Sequence, residues 1–453
     1  MTPINVLLIS LALLMVQSAT AQESALERLQ SYIEVDTVNP PGNESRGVHY
    51  LAGILDAAGI DYETAESAPG RGNIWARLEG GDEPALILLH HIDVVPASRE
   101  FWATDPLKAE IRDGKLYGRG TLDTKGLGIA HLEAFLALHI SGAKLKRDVI
   151  FMATADEEAG GKYGAGWIVD NRPEAFAGAG FLLNEGGMGK MAQGYISFGI
   201  EVAQKRPYWL RLTASGVPGH GSRPLPESAT SRLIAALARL QAAPFEPRIV
   251  APVRSMFQAM SPHAEPEWQD ALLNIDETIK DPQLLAKMQA TLPGLHSLTR
   301  NTCSLTMLSG SQKINIVPPT AIAELDCRIL PDQDAPEFLE QITRIVNDEH
   351  IAIEKILLFG AAISSSDTRL FRDIEEVTAR YHPQAGILPS VVGGFTDSHF
   401  FRDLGITSYG YAPFVLEPET AATFHGNNEH IPIDTFEQGV QMMIEIVSKF
   451  AGT

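Results

Sequence analysis

Three short apolar runs, each ending abruptly in acids or histidine, constrain this chain most. Leu86-Ile87-Leu88-Leu89 runs into His90-His91-Ile92-Asp93, Val149–Ala155 into Asp156-Glu157-Glu158, and Phe181-Leu182-Leu183 into Asn184-Glu185-Gly186-Gly187. Unbroken apolar runs of this length suit strands buried on both faces, as in a parallel sheet covered by helices. Helical spacing supplies the cover. Leu26, Leu29 and Ile33 share one face, as do Val48, Leu51 and Leu55 ahead of Gly59. A further helix is expected over roughly 127–140, and Phe436, Val440, Met443 and Val447 line a final one. The alternation predicts an α/β fold with a mixed, mostly parallel sheet flanked by helices.

Residues 200–360 read differently. Tyr208–Ala214 is a strand, Glu227–Gln241 a helix, Thr302–Leu308 and Thr320–Ile329 a strand pair, Pro336–Asn347 a helix and Ile351–Phe359 a closing strand. This order predicts a two-layer α+β module inserted into the α/β domain, which resumes near Ser364. The Leu233, Leu237 and Leu240 stripe is core or a dimer face. Residues 244–300 exceed that simple module and have no assigned place.

Composition narrows the class. At 453 residues, a two- or three-domain chain is the natural expectation. Lys+Arg number 36 against 56 Asp+Glu, a net charge of −20 that repels phosphate and excludes nucleic acid as a partner. Two cysteines, Cys303 and Cys327, exclude a disulfide scaffold and a Cys-rich metal site. Ile4 to Val16 is apolar and is followed by Ala19-Thr20-Ala21, which reads as a signal peptide over 1–21. No Lys or Arg precedes that apolar run; an uncleaved anchor or a buried helix are the other readings. Export to the periplasm or outside the cell, with no stable membrane span after cleavage, would permit a Cys303–Cys327 disulfide. The expected division is 22–199, an insert over 200–360, and 361–453.

Ligands of open α/β sheets bind at the carboxyl ends of the strands. His91 and Asp93 stand two apart and point to one side of an extended chain, where the carboxylate can orient the imidazole. Gly118–Gly126 matches no phosphate-loop spacing. Three consecutive acids after an apolar strand are costly unless something positive sits among them. Phe424-His425-Gly426-Asn427-Asn428-Glu429-His430 adds imidazoles near the C-terminus. Two imidazoles and three carboxylates make a plausible two-metal shell, suited to zinc, with cobalt or manganese as alternatives. Each residue also has a plain structural reading. Asp123 is a default helix N-cap, Glu157 and Glu158 a solvated helix start, Glu185 part of a turn, His220 a loop residue, Asn315 a turn residue before Pro318, and Arg328 an exposed strand residue.

Taken in order, these segments resemble the zinc-dependent carboxypeptidase/aminoacylase family, which includes glutamate carboxypeptidase, acetylornithine deacetylase and succinyl-diaminopimelate desuccinylase. The stretches that carry the resemblance are His91–Pro96, Asp113–Gly126, Asp156-Glu157-Glu158, Asn184–Gly187, Gly219-His220-Gly221-Ser222 and Asn315-Ile316-Val317-Pro318. The wording around Asn184–Gly187 and the long insert most resemble the branch of carboxypeptidase S and N-fatty-acyl-amino-acid hydrolases. The resemblance implies a catalytic domain interrupted by a lid/dimerisation domain, and two zinc ions. His91 and Glu185 would bind one, Glu158 and His425 the other, and Asp123 both. Asp93 would orient His91, and Glu157 would be the general base toward a metal-bridged water. His220 would support the oxyanion, reaching a neighbouring subunit's site in a homodimer. Asn315 and Arg328 would hold the substrate, with Arg328 suited to bidentate recognition of a carboxylate. His90 and His430 compete as ligands, and Gly393–Ser398 resembles a substrate loop with Phe395 lining the pocket. The implied activity is cleavage of a peptide or N-acyl-amino-acid bond. An aminopeptidase or di-/tripeptidase, or a non-catalytic zinc- or peptide-binding protein, are the competing functions.

Overall fold

The apolar runs form the middle of one large sheet in the computed structural model, which describes residues 23–192 and 194–452. The expected signal segment lies outside the described residues. Eight strands follow the order Tyr62–Glu66, Gly72–Leu78, Arg147–Thr154, Glu83–His91, Ala179–Ala192, Thr407–Leu416, Tyr195–Gln204 and Gly386–Val392. The central four are mutually parallel, and antiparallel pairings lie on either side of them. Parallel strands share one carboxyl edge, so the polar residues at their ends are brought to one crevice.

Helices cover the sheet as the spacing predicts. Lys125–Ser141 is apolar almost all round because it is covered all round: it packs on Glu83–His91 and under the C-terminal helix Ile433–Ala451. A Cβ at Gly128 would strike the His90 ring, so glycine is what lets this helix approach the sheet.

The third apolar run does not end where its sequence turns polar. The strand continues to Ala192, and Glu185 lies within it, in a bulge rather than in a turn. Opposite it, Gly410 pairs with Asn184 but Ala412 pairs with Met188, so the extra residues fall at Glu185-Gly186-Gly187. Gly186 has φ 121°, which an L side chain rarely adopts. A Cβ at Gly187 would collide with the carbonyl oxygens of Gly199 and Gly410. The two glycines therefore make the bulge that presents Glu185 to the crevice.

The second sheet is antiparallel, in the order Thr302–Ser309, Thr320–Ile329, Arg206–Ser215, Ile351–Leu358. Helices Ala229–Ala242 and Ala335–Val346 pack on it around a core of its own, with Leu210, Leu212, Leu233, Leu325, Phe338 and Ile342. Cys303 and Cys327 face each other across this ladder and form a disulfide. Thr302–Ser309 is an edge strand whose Leu305, Met307 and Leu308 are exposed, together with Ile234, Ile314 and Ile316 nearby in the same module.

Residues 244–300 find their place on the large sheet instead. Ala251–Met260 packs on the outermost strand Gly386–Val392, and Val253, Phe257, Trp268, Leu272 and Met288 join the large core. The segment covers an otherwise open sheet edge. Among the described residues no helix is long and apolar enough to cross a membrane.

Candidate active site

His91 is the last residue of its strand, and the alternation of side chains separates it from His90. His90 is buried on the opposite face, against Tyr32 Oη at 3.3 Å and the Phe151 ring. His91 turns into the crevice. Its Nδ1 lies 2.9 Å from the Asp93 carbonyl oxygen and 3.5 Å from Asp93 Oδ1. A ring nitrogen facing two acceptors carries the hydrogen, which leaves Nε2 as the free lone pair. Nε2 points at Asp123 Oδ1, 3.1 Å away, and at Glu185 Oε1, 3.7 Å away.

Asp123 spans two imidazoles. Its Oδ1 faces His91, while its Oδ2 lies 2.8 Å from Nε2 of His425, which is also 3.2 Å from Glu158 Oε2. The N-cap role is not taken: Thr124 occupies the cap of the following helix, and Asp123 turns to the histidines. Glu157 and Glu158 are not a solvated helix start. Glu157 is buried, and it reaches the His91 and Glu185 ligand atoms within 4.8 Å. The structure thus brings His91, Asp93, Asp123, Glu157, Glu158, Glu185 and His425 together. His430 stays outside, bonded to Thr420 Oγ1 at 3.0 Å and the Asn428 carbonyl at 2.8 Å.

The electrostatics are those of too many buried acids. Burial first, then the charge of Glu185, pushes Glu157 well above the ordinary carboxylate range. Burial pushes Glu185 up to about 7, and it raises Glu158 against the pull of His425. Hydrogen bonds to Asp123 and Glu158 raise His425 to about 10, and carboxylates led by Glu185 hold His91 well above its usual value although burial opposes them. Protons and dications compete for the same Nε2 positions. Two groups have the composition and spacing to hold a metal ion, His91/Glu157/Glu185 and His91/Asp123/Glu158. Glu158 Oε1 is buried with no hydrogen-bond partner, an acceptor left open for a cation. The residues fit a metal.

Sequence reasoning missed the residues that hold this set. The Asp93 carboxylate accepts from Asn39 Nδ2 at 2.8 Å and from the backbone N–H groups of Glu157 and Glu158, each at 3.2 Å. Arg71 pairs with the buried Asp156 and Glu44 and donates to Asn39 Oδ1 at 3.2 Å. Asp156 is therefore a brace, not part of the metal set. Glu429 is fully buried, pairs with Arg119, and accepts from the N–H groups of Gly120, Leu122 and Asp123 at 3.1, 2.8 and 3.2 Å. It fixes the loop that carries Asp123. Asp397, in the expected substrate loop, is buried, bonds to Thr154 Oγ1 at 3.1 Å, and is pushed up to about 8 by burial. The signals were available: an Asn before two prolines, and an acid between His425 and His430.

The substrate residues of the second layer stand apart. His220 and Asn315 are neighbours on an exposed arm where Gly219–His220 pairs with Ile316–Val317. Among the described residues no hydrogen bond or ion pair joins either to the metal set; His220 Nδ1 bonds Ser222 Oγ at 2.7 Å. Arg328 spends Nε and Nη2 on Asp326, at 2.7 and 3.1 Å, so its fork is not free for bidentate recognition. Its Nη1 is buried and unpartnered.

With this geometry in place the comparisons are decisive. Residues 87–449 match the model of Peptidase family M20/M25/M40. The chain belongs to this family. It is a metal-dependent hydrolase of the peptidase/amidohydrolase type. It is 31% identical over 382 residues to an N-fatty-acyl-amino acid synthase/hydrolase of Xenopus tropicalis, covering 82% of this chain and 74% of that one. It is 27% identical over 435 residues to aminoacylase-1B of Rattus norvegicus, covering 93% and 94%. The fold matches that of an M20 family metallo-carboxypeptidase from Sulfolobus solfataricus with a TM-score of 0.73 at 18% identity, covering 95% and 99% of the two chains.

Glu429→Ala would leave Arg119 buried and unpaired, a loss of roughly 3–5 kcal/mol. The expected outcome is a lower melting temperature together with reduced metal content, by thermal melting and elemental analysis. A lower melting temperature with full metal content would show that Glu429 does not position Asp123.

Proposed function

We propose that this chain is an exported di-zinc enzyme that hydrolyses the amide bond of an N-acyl amino acid or a C-terminal peptide bond, with Glu157 as general base. The observation that carries this reading is Asp123, with one carboxylate oxygen toward each of two imidazoles. On this reading His91 and Glu185 would hold one metal, His425 and Glu158 the other, and Asp123 would be common to both. Zinc suits this oxygen and nitrogen set, and cobalt or manganese are compatible. When bound, the metals supply Lewis acidity and lower the pKa of water. The protein's own part is the proton. Burial among acids raises Glu157 above the ordinary carboxylate range, which strengthens its hold on the proton it would accept from water and return to the leaving nitrogen. Asp93 holds His91 in the right tautomer and, through the amides of Glu157 and Glu158, holds the base in place. A non-catalytic binder would have no use for such a base.

Relatives named for N-fatty-acyl-amino acids and for aminoacylase activity support the substrate class. The donor this reading gives a free substrate carboxylate is Arg328 Nη1, which is unpartnered but buried in this structure. An aminopeptidase would instead need an acid placed for a free amine.

Glu157→Gln is expected to retain metal and lose at least a hundredfold in turnover. The check is metal analysis beside hydrolysis of N-acyl amino acids and dipeptides; loss of metal with hydrolysis retained would sink the assignment.

The exposed apolar face of Leu305, Met307, Leu308, Ile314, Ile316 and Ile234, beside an open strand edge, supports a homodimer formed through the second layer. That arrangement gives His220 and Asn315 a neighbour's site to reach. Neither His220→Ala nor Glu157→Ala should be active alone, while random 1:1 mixing should restore about a quarter of wild-type activity. No recovery in verified mixed dimers would remove His220 from a shared site.

Export rests on the apolar run over 4–16, Ala19-Thr20-Ala21, and the Cys303–Cys327 disulfide, a bond that persists in oxidising compartments. Chain recovered from the periplasm or medium should begin at Gln22; cytoplasmic chain beginning at residue 1 or 2 would contradict it.

A further inference from the structure

An apolar cavity of about 220 Å³ opens directly beside the metal set. Asp123 and Glu185 stand on one side of it, and its walls include Met188, Val392, Phe395, Ala412 and Phe414. Phe395 belongs to the Gly393–Ser398 loop and is held from two sides. The Phe359 ring meets it edge-on with centroids 5.3 Å apart, and Arg328 Cζ lies 5.5 Å from its centroid. The ring is thus wedged between the cavity and the second layer.

We propose that this cavity takes an apolar substituent of limited size attached to the scissile amide, and that Phe395 sets the limit as a specificity-determining residue. The inference rests on the amide-hydrolase reading above. Its physical content is volume. An apolar cavity of about 150 Å³ is large enough for a benzene ring, so about 220 Å³ holds roughly nine carbons. A branched aliphatic group or a single aromatic ring fits within that volume. A long fatty chain is not, and its outer carbons gain nothing from these walls. The substituent can come from either side of the amide, as the acyl group or as the amino-acid side chain.

Two substrate series separate those sources. One varies the acyl group from acetyl to hexadecanoyl on a single amino acid; the other varies the side chain from alanine to tryptophan on an acetyl group. In one of the two, kcat/KM is expected to climb about fourfold per added methylene and to stop climbing near nine carbons. Phe395→Ala is expected to extend that limit in the same series, and Phe395→Trp to shorten it. Phe395→Leu provides a conservative variant if the alanine protein does not fold. A flat response in both series, or a limit that Phe395 variants do not move, overturns the proposal.

Binding tests the cavity without turnover. Calorimetry of the metal-loaded Glu157→Gln protein with free carboxylic acids and free amino acids of the same two series should show the same size limit. Size-graded binding without hydrolysis of any amide would refute the hydrolase reading and keep the cavity's role. Hydrolysis indifferent to size would do the reverse.

Discussion

The buried carboxylate of Asp93 is the point on which the site depends. It lies beside His91 Nδ1, accepts from Asn39, and accepts from the backbone of both Glu157 and Glu158. Asp93 thus sets the tautomer of an imidazole from one strand, chiefly through its carbonyl oxygen, and with its carboxylate the position of the acidic turn after the next. The cost of burying such a charge is offset by the number of N–H groups aimed at it. Arg71 extends the arrangement, pairing with Asp156 and Glu44 while turning Asn39 toward Asp93.

The same economy of charge explains the rest of the crevice. Asp123, Glu157, Glu158, Glu185 and Asp397 cluster where water is scarce, and among the described residues His91 and His425 are the cationic partners that answer them. Burial drives Glu157, Glu185 and Asp397 upward, and the carboxylates drive both imidazoles upward. Such an arrangement is stable only with cations or protons at its centre. The chain's net charge of −20 says nothing about this. Most of those acids face solvent, and the chemistry belongs to the few that do not.

Much of this was legible in advance. The apolar runs marked the buried strands, and the polar residues after them marked His91, Asp93, Glu157 and Glu158, because strand ends in an α/β sheet open into one crevice. Glu185 was legible as a residue but not as a bulge, since a bulge depends on the neighbouring strand's register. Glu429 and Asn39 stand out in the sequence as residues, but neither they nor Arg71 were legible as supports, because each acts on residues far away in the chain. Residues 244–300 could not be placed because their apolar face has meaning only against the edge strand Gly386–Val392, some hundred residues later.

By itself the sequence determined the α/β class, the inserted module, which acids and imidazoles follow the buried strands, and, through ordered motifs, the family. These follow from local properties: hydrophobic period, turn residues and the polarity of strand ends. Only the tertiary structure decided that Asp123 spans two histidines instead of capping a helix, that His90 and His430 face away, and that the fork of Arg328 is taken by Asp326. It also decided the volume beside the metal set. Each of these is a distance between groups far apart in the chain, and such distances are set by packing, which no local pattern encodes.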